Sequence, residues 1–367
     1  MQVLDKDHAE VIAKLTSKLV QLGVPATPSA DVTVGPVLSI FRFTPSGATR
    51  VTQLENLSQD FSVILGREVL AKRMPGDTYV SVFVPNAQRS FVRFKDTFNN
   101  FWLRRKELAV PLNLGITMTG APLVEDLAEL PHFLIAGTTG SGKSTLMNTI
   151  ICSIIATKSP NEVQLVVSDT KGVEFTAFSK LPHLMYPIAT SAEQSFKNME
   201  FLVEEMNTRL SMIGKLGWKN IHEYNKAVHK PLPFIVMIVD ELADVLAHKG
   251  EGRGQTKIAT ETLNLLAQKA RASGIHLLAG TQRPSVNIVS GSIKANFPAR
   301  LSFRLPSDID SRTVLGTNGA EHLLSKGDML YVSPHSSALT RSHAPFTTQS
   351  DVASLVELVE HGLYKYD

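Results

Sequence analysis

Cysteine is almost absent: Cys152 is the one such residue in 367. A single thiol excludes any disulfide within the chain and suits a reducing cytosol, so a cytoplasmic setting is expected. Long apolar runs are missing too. No stretch of about 18 apolar residues occurs, and the longest candidates, 145–157 and 234–239, are too short to span a bilayer and read as core elements. The opening MQVLDKDHAEVIAK is charged and amphipathic where a signal peptide would be apolar. A strong excess of one charge is also lacking, since 37 basic and 34 acidic residues leave a formal net charge of +3. That removes the large basic surface of many nucleic-acid binders, yet it leaves room for a protein that meets phosphates only inside a ring. What the chain does contain is core material. With 43% hydrophobic and 19% charged residues it has a globular composition and enough length for two domains.

Hydrophobic spacing divides the chain into three parts. Within residues 1–30 a helix is expected over 5–22, where Val11, Ile12, Leu15, Leu19 and Val20 recur at helical spacing. Residues 31–125 read as a small α+β domain. Short β-like runs at 37–43, 79–84 and 91–94 are separated by Gly, Pro and Asn turns, with one helix near 54–65. Residues 126–367 alternate strand, loop and helix. Strands are expected at 133–136, 163–168, 234–239 and 275–280 and near 299–305 and 328–332; helices are expected at 143–156, 192–213 and 258–272. Such alternation implies an α/β fold, a mostly parallel sheet covered by helices on both faces. The stretch 248–257, HKGEGRGQTK, reads as a flexible surface loop, and 352–363 as an amphipathic helix that packs.

The chemistry concentrates at two places in that third part. The strand HFLIA runs into Gly137-Thr138-Thr139-Gly140-Ser141-Gly142-Lys143-Ser144 and then into a helix. This is the complete G-x-x-x-x-G-K-[ST] pattern in its strand–loop–helix context. Glycines let the backbone wrap a phosphate, and the amides and helix N-terminus point at the anion. Residues Gly137 to Ser144, with Thr145 after them, are therefore expected to hold ATP. Lys143 is expected to reach the β- and γ-phosphates, and Ser144 to bind Mg²⁺. The second place is the apolar run 234–239 ending in Asp240-Glu241, a Walker B element. Asp240 is expected to position Mg²⁺ and Glu241 to orient and deprotonate the attacking water. Acids at strand ends are common, so this motif gains its force from the P-loop.

A strand at 163–168 lies between the P-loop strand and the Walker B strand. Together with the catalytic glutamate it points to the P-loop branch with an additional strand. Guanine recognition is not indicated, because Asn225-Lys226-Ala227-Val228 lacks the acid and precedes Walker B. The strand near 275–280 ends in Thr281-Gln282-Arg283-Pro284, which places Gln282 where a polar residue senses the γ-phosphate. Before it stands Arg271. Read alone, Arg271 is an ordinary helix-end arginine favoured by the helix dipole; an arginine finger for a neighbouring subunit is the alternative.

These residues resemble a family. AGTTGSGKS, VSDTKGVEF (167–175), LPHLMYPIAT (181–190), the Walker B segment, KARASGIHLLAGTQRPSVNIVSGSIKANFPARLSF (269–303) and DSRTVLG…GAEHLLSKGDMLY (310–331) are similar to the motor of FtsK/SpoIIIE-type DNA translocases. The region 31–125 also resembles the small domain that precedes that motor. The resemblance implies a RecA-like ATPase acting as a homo-oligomeric ring, a hexamer, around double-stranded DNA, with hydrolysis at subunit interfaces. It implies that Arg271 is a trans-acting finger, and that Arg283, Lys294 and Arg312 face the DNA backbone. Phosphate contacts carry little sequence information, as a translocase requires. Two departures stand out. Many relatives carry lysine where this chain has Asp308, an acid that weakens DNA contact locally, and the usual Asp-Pro-Lys is Asp169-Thr170-Lys171. No membrane segment precedes residue 1 and no winged-helix domain follows Asp367, so motion largely independent of sequence is expected. The alternatives are a related motor with a protein cargo, as in export ATPases, a phage or plasmid DNA packaging or transfer ATPase, and a scaffold whose nucleotide only switches assembly.

Overall fold

The computed structural model describes residues 6–73, 76–88, 90–98, 107–247, 255–336 and 339–366. The chain divides into two compact units, Met1–Val92 with Ile116–Ala121, and Arg93–Gly115 with Pro122–Asp367. The expected divisions at 30/31 and 125/126 differ from these bounds: the N-terminal helix packs into the core of the first unit, and Phe94, Val110, Leu112 and Leu114 pack into that of the second.

In the first unit the helix Lys6–Gln21 presents Val11, Leu15 and Leu19 along one stripe, all buried with Phe41, Phe43, Val80 and Val82. Val20, counted in that stripe from the sequence, is 74% exposed. One residue past Leu19 turns a helix by about 100°, which carries Val20 off the buried face. The strands are antiparallel, in the order Ala26–Pro28, Leu38–Pro45, Val80–Pro85, Leu70–Lys72, with Thr33–Val34 also on Leu38–Pro45. The expected helix near 54–65 is two short ones, Val51–Glu55 and Ser58–Leu65, the second closed by Gly66 at φ 62°.

The second unit is built on a nine-stranded sheet. Its parallel part runs Val163–Ser168, Phe234–Val239, Ile275–Thr281, His132–Ala136, Ala299–Ser302. Antiparallel Asp328–Val332 and Leu339–His343 follow, then Pro111–Thr117 and Pro122–Asp126 at the far edge. The strands are apolar on both faces because both are covered. Phe133, Ile135, Leu165, Val167, Val236 and Ile238 face a core shared with the helix Lys143–Ile155. Their neighbours Leu134, Val166, Ile235, Met237 and Val239 face the core of the helices Ala192–Lys215 and Gln255–Lys269. This two-residue alternation with apolar residues on either side is what a doubly covered parallel sheet requires. The edge strand Val163–Ser168 is itself protected. Residues 183–189 run beside it, with Leu165 N donating to His183 O at 2.8 Å and Ala189 N to Val167 O at 2.9 Å.

Three local expectations change. The strand 163–168 separates the P-loop and Walker B strands only in sequence; in space Ile275–Thr281 lies between them. Residues 91–94 form no strand: Arg93 makes an isolated bridge to Phe346, and 94–98 are helical. Of the expected loop 248–257, residues 248–254 lie outside the described residues, while Gln255 already begins a helix. The cysteine is buried in the helix Lys143–Ile155, and burial pushes its thiol up to about 12. Among the described residues no helix is long and apolar enough to cross a membrane.

Candidate functional site

The site is assembled where the central parallel strands end. Register sets the neighbours: Val239 pairs with Ala279 and Thr281 with Ala136. Asp240 and Glu241 therefore emerge beside Gly280 and Thr281, and Gly137 beside Thr281. The loop closes on itself through Ser141 Oγ, which donates to Thr138 O at 2.6 Å, with Gly140 at φ 74° and Gly142 at φ 124°. Gly137 allows a close approach as well. A Cβ there would stand 2.6 Å from Ser141 Oγ and 2.8 Å from Phe303 Cβ. The helix Lys143–Ile155 starts at the end of the loop, so its first amides are aimed into the cradle, with Ser144 and Thr145 in its first turn.

Lys143 is buried and its ammonium donates to Asp240 twice, to the carbonyl at 2.6 Å and to Oδ1 at 2.5 Å. The two side chains are 2% and 1% exposed. A buried charge requires such a partner, since an isolated one costs several kcal/mol. Gly280 makes room for this pair. A Cβ on it would lie 2.5 Å from Asp240 O, 2.9 Å from Met147 Sδ and 3.1 Å from Lys143 Nζ.

Glu241 follows Asp240 in extended backbone, φ −131° and ψ 99°, so the two carboxylates point apart. Glu241 Oε1 accepts from Thr281 Oγ1 at 2.8 Å and from Ala243 N at 3.2 Å, while Oε2 accepts from Gln282 N at 2.8 Å. The Gln282 side chain reaches the P-loop, its Oε1 accepting from Thr139 Oγ1 at 3.0 Å. Lysine, both acids and the glutamine thus meet at one end of one sheet, although they come from three strand ends far apart in sequence.

The remaining candidates lie elsewhere. Arg271 sits in the short helix Ala270–Ser273 before the strand Ile275–Thr281, and so at the end away from its own P-loop. Seven extended residues span roughly 20 Å, and no side chain bridges that. Arg271 pairs at 3.5 Å with Glu129, both more than half exposed. Arg283 is exposed directly beyond the Gln282 strand, and Arg312 is exposed on the helix Asp308–Leu315 that follows Ala299–Ser302, at the same end of the sheet. Arg312 is held by Asp308 at 2.5 Å. Lys294 belongs to the connection returning to the start of Ala299–Ser302, where its carbonyl accepts from Arg300 Nη1 at 3.2 Å. Arg283 and Arg312 are therefore brought to the P-loop end, and Lys294 is not.

Gly280 and Thr281 were not singled out from the sequence. An isolated glycine inside a strand pattern is a known signal of close backbone approach. Thr281 offers no such signal, being a β-branched residue in a strand.

Comparison with known proteins agrees with the geometry. The model of the FtsK/SpoIIIE family matches residues 97–286, and that of the FtsK alpha domain matches residues 2–86. The DNA translocase FtsK of Helicobacter pylori J99 is 36% identical over 332 residues, covering 89% of this chain and 39% of the relative. That of Pseudomonas aeruginosa is 35% identical over 382 residues, covering 96% of this chain and 46% of the relative. The chain thus spans less than half the length of these curated relatives. Among solved structures, the pCW3 conjugation coupling protein TcpA, in its monomer form with ATPγS, aligns with a TM-score of 0.67 at 22% identity over 95% of this chain and 99% of that one. The cytoplasmic domain of the Thermomonospora curvata type VII secretion ATPase EccC aligns with a TM-score of 0.60 at 23% identity, over 68% of this chain and 31% of that one. At such identities the structural likeness concerns the fold alone. With its P-loop and Walker B strand joined at one sheet end and the family model spanning 97–286, the chain belongs to the FtsK/SpoIIIE family.

Proposed function

We propose that the chain is the motor part of a double-stranded DNA translocase, hydrolysing ATP and working as a ring in which neighbouring copies complete one another's sites. The observation that carries this reading is the linkage of Glu241, Gln282 and Thr139 by hydrogen bonds at the point where the chain runs on into Arg283. It joins a candidate general base to a loop facing outward.

The residues fit a nucleotide with its metal. The glycine cradle has no space for side chains at Gly137, and a hydroxyl with a carboxylate supplies the hard oxygen donors magnesium prefers. Ser144 and Asp240 would hold the ion, which would neutralise charge on the phosphates. The amides from Gly137 to Thr145 cradle the phosphates, and Lys143 exchanges its bond to Asp240 for the β- and γ-phosphate oxygens. Glu241 takes a proton from a water whose oxygen bonds to the γ-phosphorus as the bond to ADP breaks. Gln282 stands beside Thr139, where the departing phosphate alters its contacts.

Arg271 supports the ring. It lies at the end of its own sheet away from its own P-loop and is more than half exposed. Arg283 and Arg312 supply phosphate contacts at the P-loop end, and Asp308 neutralises part of the Arg312 charge. With contacts to phosphates alone, motion is largely independent of sequence.

The test is the ATPase rate with and without long linear duplex DNA at two salt concentrations. Strong stimulation that fades with salt is expected, because phosphate contacts release counterions. A rate indifferent to DNA in an assembled oligomer would overturn the DNA reading and favour a protein cargo.

A further inference from the structure

Thr281 touches all three parts of the site. Its side chain is fully buried. Its carbonyl accepts from Gly137 N at 3.2 Å, at the start of the P-loop. Its hydroxyl donates to Glu241 Oε1 at 2.8 Å and accepts from Arg283 N at 3.1 Å. The direction of both hydroxyl bonds is fixed, since a backbone amide can only donate and the single hydroxyl proton is then free for the carboxylate. The next residue repeats the link, with Gln282 N donating to Glu241 Oε2 at 2.8 Å. Both oxygens of Glu241 are therefore held by Thr281 and Gln282. Buried donors left unpaired are costly, so displacement of the Arg283 backbone must either break these bonds or carry the carboxylate with it.

We propose that Thr281 is a positioning residue that couples the water-activating Glu241 to the backbone of the outward loop at Arg283, so that contact of DNA with the loop resets the carboxylate through one hydroxyl. This inference rests on the reading of the chain as a DNA-stimulated ATPase. Its mark is a change in the ratio of stimulated to basal turnover, which a merely structural threonine would leave alone.

The test compares the wild type, Thr281→Val and Thr281→Ser in the full chain, each with and without linear duplex DNA. Valine keeps the shape and removes the hydroxyl; serine keeps the hydroxyl. A hydrogen bond to a charged group accounts for roughly tenfold in a rate or more, so Thr281→Val is expected to lose about that factor in the ratio, and Thr281→Ser to retain it. If Thr281→Val does not fold, Thr281→Ala reads the same ratio. A hydroxyl-free variant with the wild-type ratio overturns the inference, even if both of its rates fall together. Loss of the ratio in Thr281→Ser as well overturns it too, since the hydroxyl is then not what matters. A wild type unresponsive to DNA instead removes the DNA reading itself, and the control lane separates that failure from the other two.

Discussion

At the C-terminal ends of the central parallel strands charges of both signs are buried; at the N-terminal ends two imidazoles and the Arg209 guanidinium are buried and bonded to the backbone. Lys143, Asp240 and Glu241 occupy the first end, each 3% exposed or less. The second end holds His132 and His276, equally buried. His276 Nδ1 bonds to Pro131 O at 2.9 Å, and His132 Nδ1 accepts from Leu277 N at 3.0 Å. Burial lowers His132 to about 3 and His276 to about 4. Charge is kept where several partners answer it, as for Arg209, held by Glu205, Pro233 O and Ser273 O, whereas the two imidazoles, with fewer partners, stay neutral. Arg271, near the second end, stays at the surface. What distinguishes the first end is the buried pair of opposite charges, Lys143 and Asp240, at the P-loop.

Removing a partner at the first end should have the largest effect. Lys143→Ala leaves Asp240 buried without its cation and the phosphates without theirs, so ATP turnover should vanish; normal turnover would break the contrast outright. Arg271→Ala tests whether the exposed cation serves a neighbouring copy. Turnover should fall by about 10³-fold or more, as for other arginine fingers, with nucleotide binding kept. Mixing it with Lys143→Ala should restore part of the activity, and absence of any rescue would return Arg271 to a surface role. Glu241→Gln should keep ATP binding and lose about 10²–10⁴-fold in kcat; a loss under roughly tenfold would remove Glu241 as the base. Gly280→Ala places a methyl group against the Lys143–Asp240 pair and should cost about 1–3 kcal/mol of stability, read as a lower Tm together with impaired turnover. An unchanged Tm would show that the pair has slack.

The smallest effect belongs to the histidine end. Both imidazoles have folded pKa values below the ordinary 6.5, so below that pH the unfolded chain binds protons that the folded one refuses. Their contribution to stability is therefore complete above about 6.5 and declines as the pH falls, toward about 4 for His276 and about 3 for His132. His276→Phe should flatten that decline in urea melts between these limits; an undiminished slope would assign it to other groups.

The P-loop could be read from sequence because its task is local. One contiguous run makes the turn, supplies the amides and starts the helix, so spacing alone specifies it. The Walker B strand was legible for a similar reason, as was the helix face of Val11, Leu15 and Leu19. Strand order was not. The strand 163–168 follows the P-loop strand in the chain and yet lies at the sheet edge, because helices carry the connections over the faces and the order of insertion is decided by packing. The roles of Gly280 and Thr281 were hidden for the same cause. Nothing in the residues near 280 reveals that 240 and 241 will stand beside them.

By itself the sequence determined the elements whose causes lie within a few residues: the glycine-rich loop running into a helix at Lys143 and Ser144, the apolar strand ending in Asp240-Glu241, the amphipathic helices, and the family the chain belongs to. The tertiary structure decided which of those ends meet. It set Thr281 between Glu241 and Arg283, left no room for a side chain at Gly280, brought Arg283 and Arg312 to the P-loop end without Lys294, and put Arg271 at the far end of its own strand. Backbone register across parallel strands fixes such neighbours to within a residue, and register arises from the packing of two whole faces, which no short segment encodes.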